Sequence, residues 1–453
     1  MRLSVRLPMA VVLVLFVAGA PGDAQARAAR TVVKSVLRPG VTLTRIRDPS
    51  GPFEIRVIRL DPSTSAMLDV ALAGRTFGSF AKPSSMAARE GAVAAVNGDF
   101  SLWPGRPVHP FADDTLLDGS GWPEANVAPT DKEKTFFANH AAASIVATDR
   151  GSGTNFRIQR WNTGVPGRGQ IAGYTWIAGG RPAPPDDACS ARLFLKGDLR
   201  WGPRGVGITR DYRVGAVNCQ SSPMPMNGGI VLSAKRSSPL ASASIRSLRP
   251  EEIVSITWTM KTPFGTEWPR VTTTIGGMPL IVFQGRVTSG WFCGNGFCDR
   301  NPRTAIGYTA DGTILLVTVD GRRPGWSVGM TMAGLAHEMI ALGAVNAVNL
   351  DGGGSTVMWV AGQGLVDRPS DPTGERPVST SILVLPQPES EPVPALATGV
   401  VSPSEKRRAW GQMESDPAST GGMADAVVRG AGSGATLPRA LVAAARRFES
   451  RGR

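Results

Sequence analysis

Between Thr272 and Pro386 one local pattern recurs: a short apolar run, then a glycine-containing turn, then another short apolar run. It stands in "TTTIGGMPLIVFQGRV", in "RTAIGYTADGTILLVTVDGR" (Arg303–Arg322) and in "NAVNLDGGGSTVMWV" (Asn346–Val360). Runs this short, bounded by turn residues, predict strands rather than helices. Upstream, "FEIRVIRL" (Phe53–Leu60) alternates apolar and charged residues, the pattern of a half-buried strand. "AVAAVNGDF" (Ala92–Phe100) reads as a buried strand that stops at Asn-Gly. Two segments read as helices. "PSSMAAREG" ends in glycine, and "GMTMAGLAHEMIALG" places Met332, Leu335, Ala336, Met339 and Leu342 on one face, with Thr331 as N-cap and Gly343 at the C-terminal end. From about 101 to 270 the chain is rich in Gly, Pro and Trp with weak periodicity, which predicts short strands and long loops. The fold class is α+β: a strand-rich mixed sheet domain with few helices.

The ends differ in kind. "MRLSVRLPMAVVLVLFVAGAPGDAQA" carries Arg2 and Arg6, an apolar run and an Ala24-Gln25-Ala26 pattern, as a secretory signal peptide does. The run is short for a membrane span, which needs about 20 apolar residues. Cleavage near Ala26 predicts a secreted, periplasmic or envelope protein. After Pro386, "PQPESEPVPA" is a Pro/Glu linker, followed by a Gly/Ala-rich tail in which only Leu437–Arg451 has helical pattern. The organisation expected is a signal peptide over 1–26, a folded domain over 27–386 and a Pro/Gly/Ala-rich disordered tail over 387–453.

The net charge of +13 favours anionic partners such as phosphate-bearing glycans or anionic lipid. No Lys/Arg-dense stretch alternates with aromatics, so no nucleic-acid partner is expected. The basic tail is a candidate for peripheral contact with an envelope surface. Four cysteines fit export. Cys293 and Cys298 bracket the tight loop "CGNGFC", which a disulfide could close, leaving Cys189 to pair with Cys219. A zinc site is the alternative, against which stand the absent C-x-x-C spacing and the wide separation of His109, His140 and His337.

"DGGGST" follows an apolar run as a phosphate-binding loop would. It lacks the Lys-Ser/Thr of a Walker A loop and the following helix of a dinucleotide fingerprint. A series of motifs sets it in context: "VNGDF" (Val96–Phe100), "IGGMPLI" (Ile275–Ile281), "RTAIG" (Arg303–Gly307), "VDGR" (Val319–Arg322), "NLDGGGS" (Asn349–Ser355), "PSD" (Pro369–Asp371) and "ERPVS" (Glu375–Ser379). In order and spacing this series resembles the phosphodiester glycosidase family, whose best-known member removes a GlcNAc that caps a mannose 6-phosphate. The resemblance is tightest over Ile275–Leu385 and loose over about 121–270. It departs in two places. Many members have glycine where this chain has Asp99, and Gly334 replaces a family glutamate at the start of the later helix, with Glu338 one turn on.

The resemblance implies hydrolysis of a sugar-1-phosphodiester, and that chemistry selects residues. Guanidinium groups match phosphate oxygens bidentately, so Arg303 and Arg376 are the phosphate candidates, with Arg322 and Arg323 behind them. Cleavage on the sugar side passes through an oxocarbenium-like state that needs a carboxylate. Asp351 is the first candidate, then Asp320 and Asp371, each of which also fits ordinary turn chemistry. Asn97, Gly98, Asp99, Thr304, Asn349, Gly352 and Gly353 complete the expected substrate-binding set. Trp103 and Trp291 could stack on sugar faces. No cofactor is expected, although clustered aspartates leave Ca²⁺ open. The rival reading is a non-catalytic glycan- or phosphate-binding envelope protein, and a third is a glycosidase whose substrate carries no phosphate.

Overall fold

Strands whose two faces are both covered read as unbroken apolar runs, and this chain builds its centre from them. In Ile314–Val319, Ile314 and Leu316 point into one core while Leu315, Val317 and Val319 point into another. The computed structural model describes residues 29–386 apart from 65, 114, 119–124, 129–135, 139–141, 179–184, 203–205, 221–228, 262–266 and 269–272. The expected signal peptide, the tail with its candidate helix, and His140 lie outside the described residues.

Two sheets face each other. The first has eight strands in the order Thr31–Arg38, Val41–Asp48, Phe53–Leu60, Ile314–Val319, Arg303–Thr309, Ala344–Asn349, Leu280–Phe283 and Arg286–Val287. The second has five: Gly364–Leu365, Met358–Val360, Ala94–Asn97, Thr380–Pro386 and Ala66–Leu72. Leu43, Ile58, Val96, Ile306, Leu316, Val348 and Ile382 fill the space between them. Each outer face carries a helix. Helix α1 (Pro83–Arg89) covers the second sheet through Met86 and Ala87, packed with Ala95 and Leu383. The later helix, Met332–Ala341, covers the first sheet through Met332, Leu335, Ala336 and Met339. Its N-terminus is capped by the Thr331 hydroxyl, which accepts the Gly334 N–H, and Gly343 follows it at φ +97°. The layers are therefore helix, sheet, sheet, helix.

A ten-stranded sheet with its own core is built from the middle of the chain, where short strands such as Asn155–Ile158, Arg160–Trp161 and Arg200–Trp201 stand as expected beside longer ones that were not. Ala142–Asp149, Ala188–Leu195, Ile208–Asn218 and Ile253–Lys261 run side by side, and a helix over Pro239–Ser247 packs on them. Their periodicity is hard to read because buried positions hold residues such as Thr209, Tyr212 and Ser255 rather than long aliphatics. Among the described residues the pairings are antiparallel but for one, Arg160–Trp161 beside Ala172–Thr175, so the set is mixed as expected. A five-stranded sheet containing Phe111–Asp113 and Thr273–Gly277 completes the major elements.

Phe53–Leu60 corrects another expectation. Its charged residues do not face water: Glu54 and Arg56 are buried and paired at 3.1 Å. Loops fold over that end of the strand, with Arg56 Nε donating to the Val366 carbonyl and the Glu54 N–H to the Ser327 hydroxyl.

Both disulfides, Cys189–Cys219 and Cys293–Cys298, are present. The first joins residues 30 apart in sequence, a loop whose closure constrains the unfolded chain by about 3 to 4 kcal/mol. Replacing Cys189 and Cys219 together with serine should lower the free energy of unfolding by roughly that amount. A denaturant titration of the double variant checks it, and an unchanged midpoint would refute it.

Candidate functional site

Antiparallel pairing brings the end of one strand beside the start of the next. Asn97, Asn349 and Asp320 lie at or just past strand ends, and Arg303, Thr304 and Thr380 at strand starts, all at the same end of the paired sheets. Asn97 joins the segments. It is fully buried; its Oδ1 accepts the Thr304 hydroxyl (2.7 Å) and the Val357 N–H (3.1 Å), and its Nδ2 donates to the Asp351 carbonyl (2.6 Å). Asn97 and Thr304 are thus ties between strands rather than groups open to a sugar. Asn349 is likewise buried, donating to the Met278 carbonyl at 2.6 Å.

The motif glycines permit this convergence. A Cβ on Gly98 would lie 2.5 Å from the Thr380 hydroxyl, and one on Gly277 2.5 Å from the Asn349 carbonyl oxygen. On Gly276 it would fall 1.9 Å from the His109 Cβ. That space admits His109, a residue the sequence offered only as a remote metal ligand. Its Nδ1 meets Asp99 Oδ1 at 2.7 Å, and its backbone N–H donates to Asp99 Oδ2 at 2.8 Å. Asp99 is buried and also accepts the Phe100 N–H, so it orients His109 rather than presenting itself to a ligand.

Asp351 stands beside this pair. Burial, reinforced by the charge of Asp99, raises its carboxyl to about 6, against the opposing effects of the Ser355 hydroxyl, the Gly352 N–H and Arg376. It is held in place by its N–H, which donates to the Gly98 carbonyl at 3.2 Å, and by its Oδ1, which accepts the Gly352 N–H at 2.9 Å.

Four amides of the glycine loop are already engaged within the protein. The N–H groups of Gly352, Gly353, Ser355 and Thr356 donate to protein acceptors. The loop also lets two guanidinium groups lie against it. A Cβ on Gly353, which has φ +61°, would be 3.0 Å from Arg322 Nη2; one on Gly354 would be 2.1 Å from Arg376 Nη2. Arg322 is oriented by Asn301 Oδ1, which accepts from Nε and Nη2 at 3.2 and 2.9 Å. Arg376 is oriented by Asp371, whose Oδ2 accepts from Nε and Nη2 at 2.8 and 2.7 Å.

Arg303 points elsewhere. It is 3% exposed, and it donates to the carbonyls of Met330 (3.0 Å), Phe297 (2.8 Å) and Asp299 (2.6 Å). Burial and the nearby Arg322 lower it to about 10. It anchors the disulfide-closed loop, and Arg322 takes the place expected for it beside the glycines. Asp320 is buried, accepting the Trp326 indole N–H (2.7 Å) and the Arg368 backbone N–H (3.1 Å); it fixes the loop that carries Arg322 and Arg323. Burial raises its pKa. Asp371 closes a turn on the N–H and hydroxyl of Thr373 and pairs with Arg376, contacts that lower it to about 2. Each is engaged by neighbouring residues, Asp371 by the site's own Arg376. Glu375 of the "ERPVS" motif accepts the N–H and hydroxyl of Ser84 in the first turn of α1.

Trp291 donates to the Thr288 hydroxyl and packs against the first sheet's core, while Trp103 is 88% exposed. Arg323 donates to the Pro369 carbonyl, and His337 is exposed on its helix. Glu338 is bound by both terminal nitrogens of Arg30. Among the described residues no group of three or more His, Cys, Asp or Glu is disposed to hold a metal ion, and no helix is long and apolar enough to cross a membrane.

With this geometry the sequence can be set beside known proteins. Residues 206–385 match the phosphodiester glycosidase family. The matched span holds Arg322, Asp351 and Arg376, while Asn97, Asp99 and His109 lie before it. A hypothetical protein from Synechocystis shares the fold with a TM-score of 0.59 at 23% identity, over 79% of this chain and 64% of that one. A Burkholderia pseudomallei K96243 protein, provisionally named as exported, shares it with a TM-score of 0.55 at 24% identity, over 76% and 77% of the two chains. The uncharacterized protein YomE of Bacillus subtilis, derived from the SPbeta prophage, is 42% identical over 64 residues, which are 14% of this chain and 10% of that protein. The chain thus spans under two thirds of the Synechocystis protein and a tenth of the Bacillus one.

Two measurements test the site's construction. Asn97→Ala leaves the Asp351 carbonyl, the Thr304 hydroxyl and the Val357 N–H without their partner, and should cost about 3 kcal/mol of stability in a denaturant titration. Asp351 has a folded pKa of about 6, above its unfolded value, so native stability falls as pH rises from about 4 to 6 and its carboxyl is forced to ionise. Asp351→Asn should therefore raise the melting temperature at pH 8 relative to the parent and bring no gain at pH 3.5. An equal effect at both pH values would contradict the assignment.

Proposed function

We propose that this chain is an exported hydrolase that cleaves a sugar-1-phosphodiester, of the GlcNAc-1-phosphodiester kind, in an envelope or extracellular glycan. The observation that carries the proposal is the placing of Arg322 and Arg376 against Gly353 and Gly354, beside a carboxyl held at about 6. The family match supports the same reaction class. The two disulfides fit an oxidising compartment, in keeping with the leader read over residues 1–26.

In this mechanism the phosphodiester lies on the two guanidinium groups, which neutralise charge as it gathers on the leaving oxygen. The anomeric carbon–oxygen bond breaks, and its electron pair remains on phosphate. A phosphate is already a competent leaving group, so no strong general acid is needed. Asp351 in its ionised form faces the oxocarbenium-like centre and takes a proton from the attacking water. Asp371 and Asn301 orient the two arginines, and the Asp99–His109 pair sets the charge next to Asp351. The glycan is the partner proposed, with peripheral envelope contact through the basic tail as an accessory.

A non-catalytic binding protein is the second reading. It is favoured by Gly334, which stands in place of the family glutamate, and by Glu338, which Arg30 already engages. Turnover of a GlcNAc-1-phosphodiester model compound decides between the two. Release of GlcNAc is expected, with kcat/KM falling about tenfold per pH unit below about pH 6 as Asp351 is protonated. Asp351→Asn should reduce kcat by at least about 100-fold, and Arg376→Ala should lower kcat as well as raise KM, since its guanidinium both holds the phosphate and meets the charge that gathers on it. Binding without release would favour the second reading, and unchanged turnover in Asp351→Asn would remove Asp351 from the mechanism.

A further inference from the structure

The chain from Ser101 to Pro107 leaves the site as a small hairpin, Ser101–Leu102 against Arg106–Pro107. Its tip holds Trp103, 88% exposed, and Leu102, 53% exposed. The Trp103 ring stacks on Phe80, itself 40% exposed, with centroids 6.0 Å apart and an interplanar angle of 29°. A large aromatic surface left in water is costly unless a ligand covers it.

The hairpin is firmly mounted. The Ser101 and Ser379 hydroxyls meet at 2.5 Å, and the Val108 N–H donates to the Phe100 carbonyl at 3.0 Å. A Cβ on Gly105 would lie 2.6 Å from the Ser79 carbonyl oxygen, so the tip is pressed against the segment that carries Phe80. Trp103 follows Asp99 by four positions, which bounds their distance at about 14 Å between Cα atoms.

The surroundings are basic. Arg75 and Lys82 are exposed, and the Arg106 guanidinium lies over the Phe77 ring at 5.7 Å. The acids nearby are Glu90, paired with Arg89, Asp99, buried against His109, and Glu375, which accepts the N–H and hydroxyl of Ser84. An aromatic face rimmed by positive charge next to a sugar-phosphate site has a defined complement. Sugar rings offer apolar faces to aromatics, and phosphates between them meet the basic rim.

We propose that Trp103 and Phe80, flanked by Arg75, Lys82 and Arg106, form a second binding subsite for a phosphate-bearing saccharide chain that extends from the bond cut at Asp351. The proposal rests on the hydrolase reading above and names its substrate class: a polymer of sugar phosphates rather than an isolated sugar-phosphate unit. Single-stranded nucleic acid also pairs stacked rings with charge, but the neighbouring site favours the saccharide.

Titration calorimetry in an Asp351→Asn background, which prevents turnover, tests it with four probes. These are a tetramer of GlcNAc joined by 1,6-phosphodiester links, the single-unit methyl diester of GlcNAc-1-phosphate, chitotetraose and a thymidine oligonucleotide of matched charge. Trp103→Ala is expected to weaken tetramer binding on the order of tenfold, as loss of one stacked ring does, and to leave the single unit unaffected. Arg75→Glu with Lys82→Glu should weaken the tetramer but not chitotetraose. Equal tetramer affinity with and without the indole overturns the proposal. So does an oligonucleotide that binds as tightly as the tetramer and loses as much in Trp103→Ala. Trp103-dependent tetramer binding by a protein that, with Asp351 intact, cleaves none of these diesters would sink the hydrolase reading and leave the subsite standing.

Discussion

One side-chain amide joins the two sheets where their strands end. Asn97 presents an acceptor to Thr304 and Val357 and a donor to Asp351, so three segments meet on a single buried group. Without such a partner each of those polar groups would be buried unsatisfied, at a cost of about 1 to 3 kcal/mol apiece. The glycines around it follow from the same constraint. Gly98 and Gly277 exist as glycines because neighbouring chain occupies the place of a side chain. Asp351 inherits its position from this arrangement, and its raised carboxyl from the burial that comes with it.

The arginines divide along the same line between scaffold and surface. Arg303 is tied inward to three carbonyls, whereas Arg322 and Arg376 lie against the loop, each oriented by one partner. A carboxylate pairs with one of them and a neutral amide with the other. Arg376 therefore meets a ligand with its charge partly matched by Asp371, and Arg322 meets it without a carboxylate among its named partners. This asymmetry gives the two groups different work in holding an anion, although they rest on adjacent glycines of one loop.

Much of the central architecture was legible in the sequence, because doubly covered strands must be apolar throughout and the turns between them must be Gly, Asn or Asp. The hairpin of Arg303–Thr309 and Ile314–Val319 and the helix capped by Thr331 follow from pattern alone. The motifs of the candidate site were legible as strand ends. Roles within it were not. A sequence shows that Arg303 begins a strand, but not that three backbone carbonyls wait for it. It shows Asp320 before Gly-Arg-Arg without revealing the Trp326 indole and Arg368 amide that consume its oxygens. His109 carries no local signal. Its one trace is Gly276, far away in the chain, whose missing side chain leaves it room.

That distance along the chain has a consequence for how the protein comes into being. The bond from Asn97 to Asp351 spans 254 residues, and the ten-stranded sheet is made between its two ends. Contacts of such long range are closed late and slowly, because the loop entropy must be surrendered before they form. The site can therefore close only when both ends of that span are in place. A fragment trimmed to residues 206–385 would contain the glycine loop and its arginines but lack Asn97, the residue that ties Asp351 to the neighbouring strands.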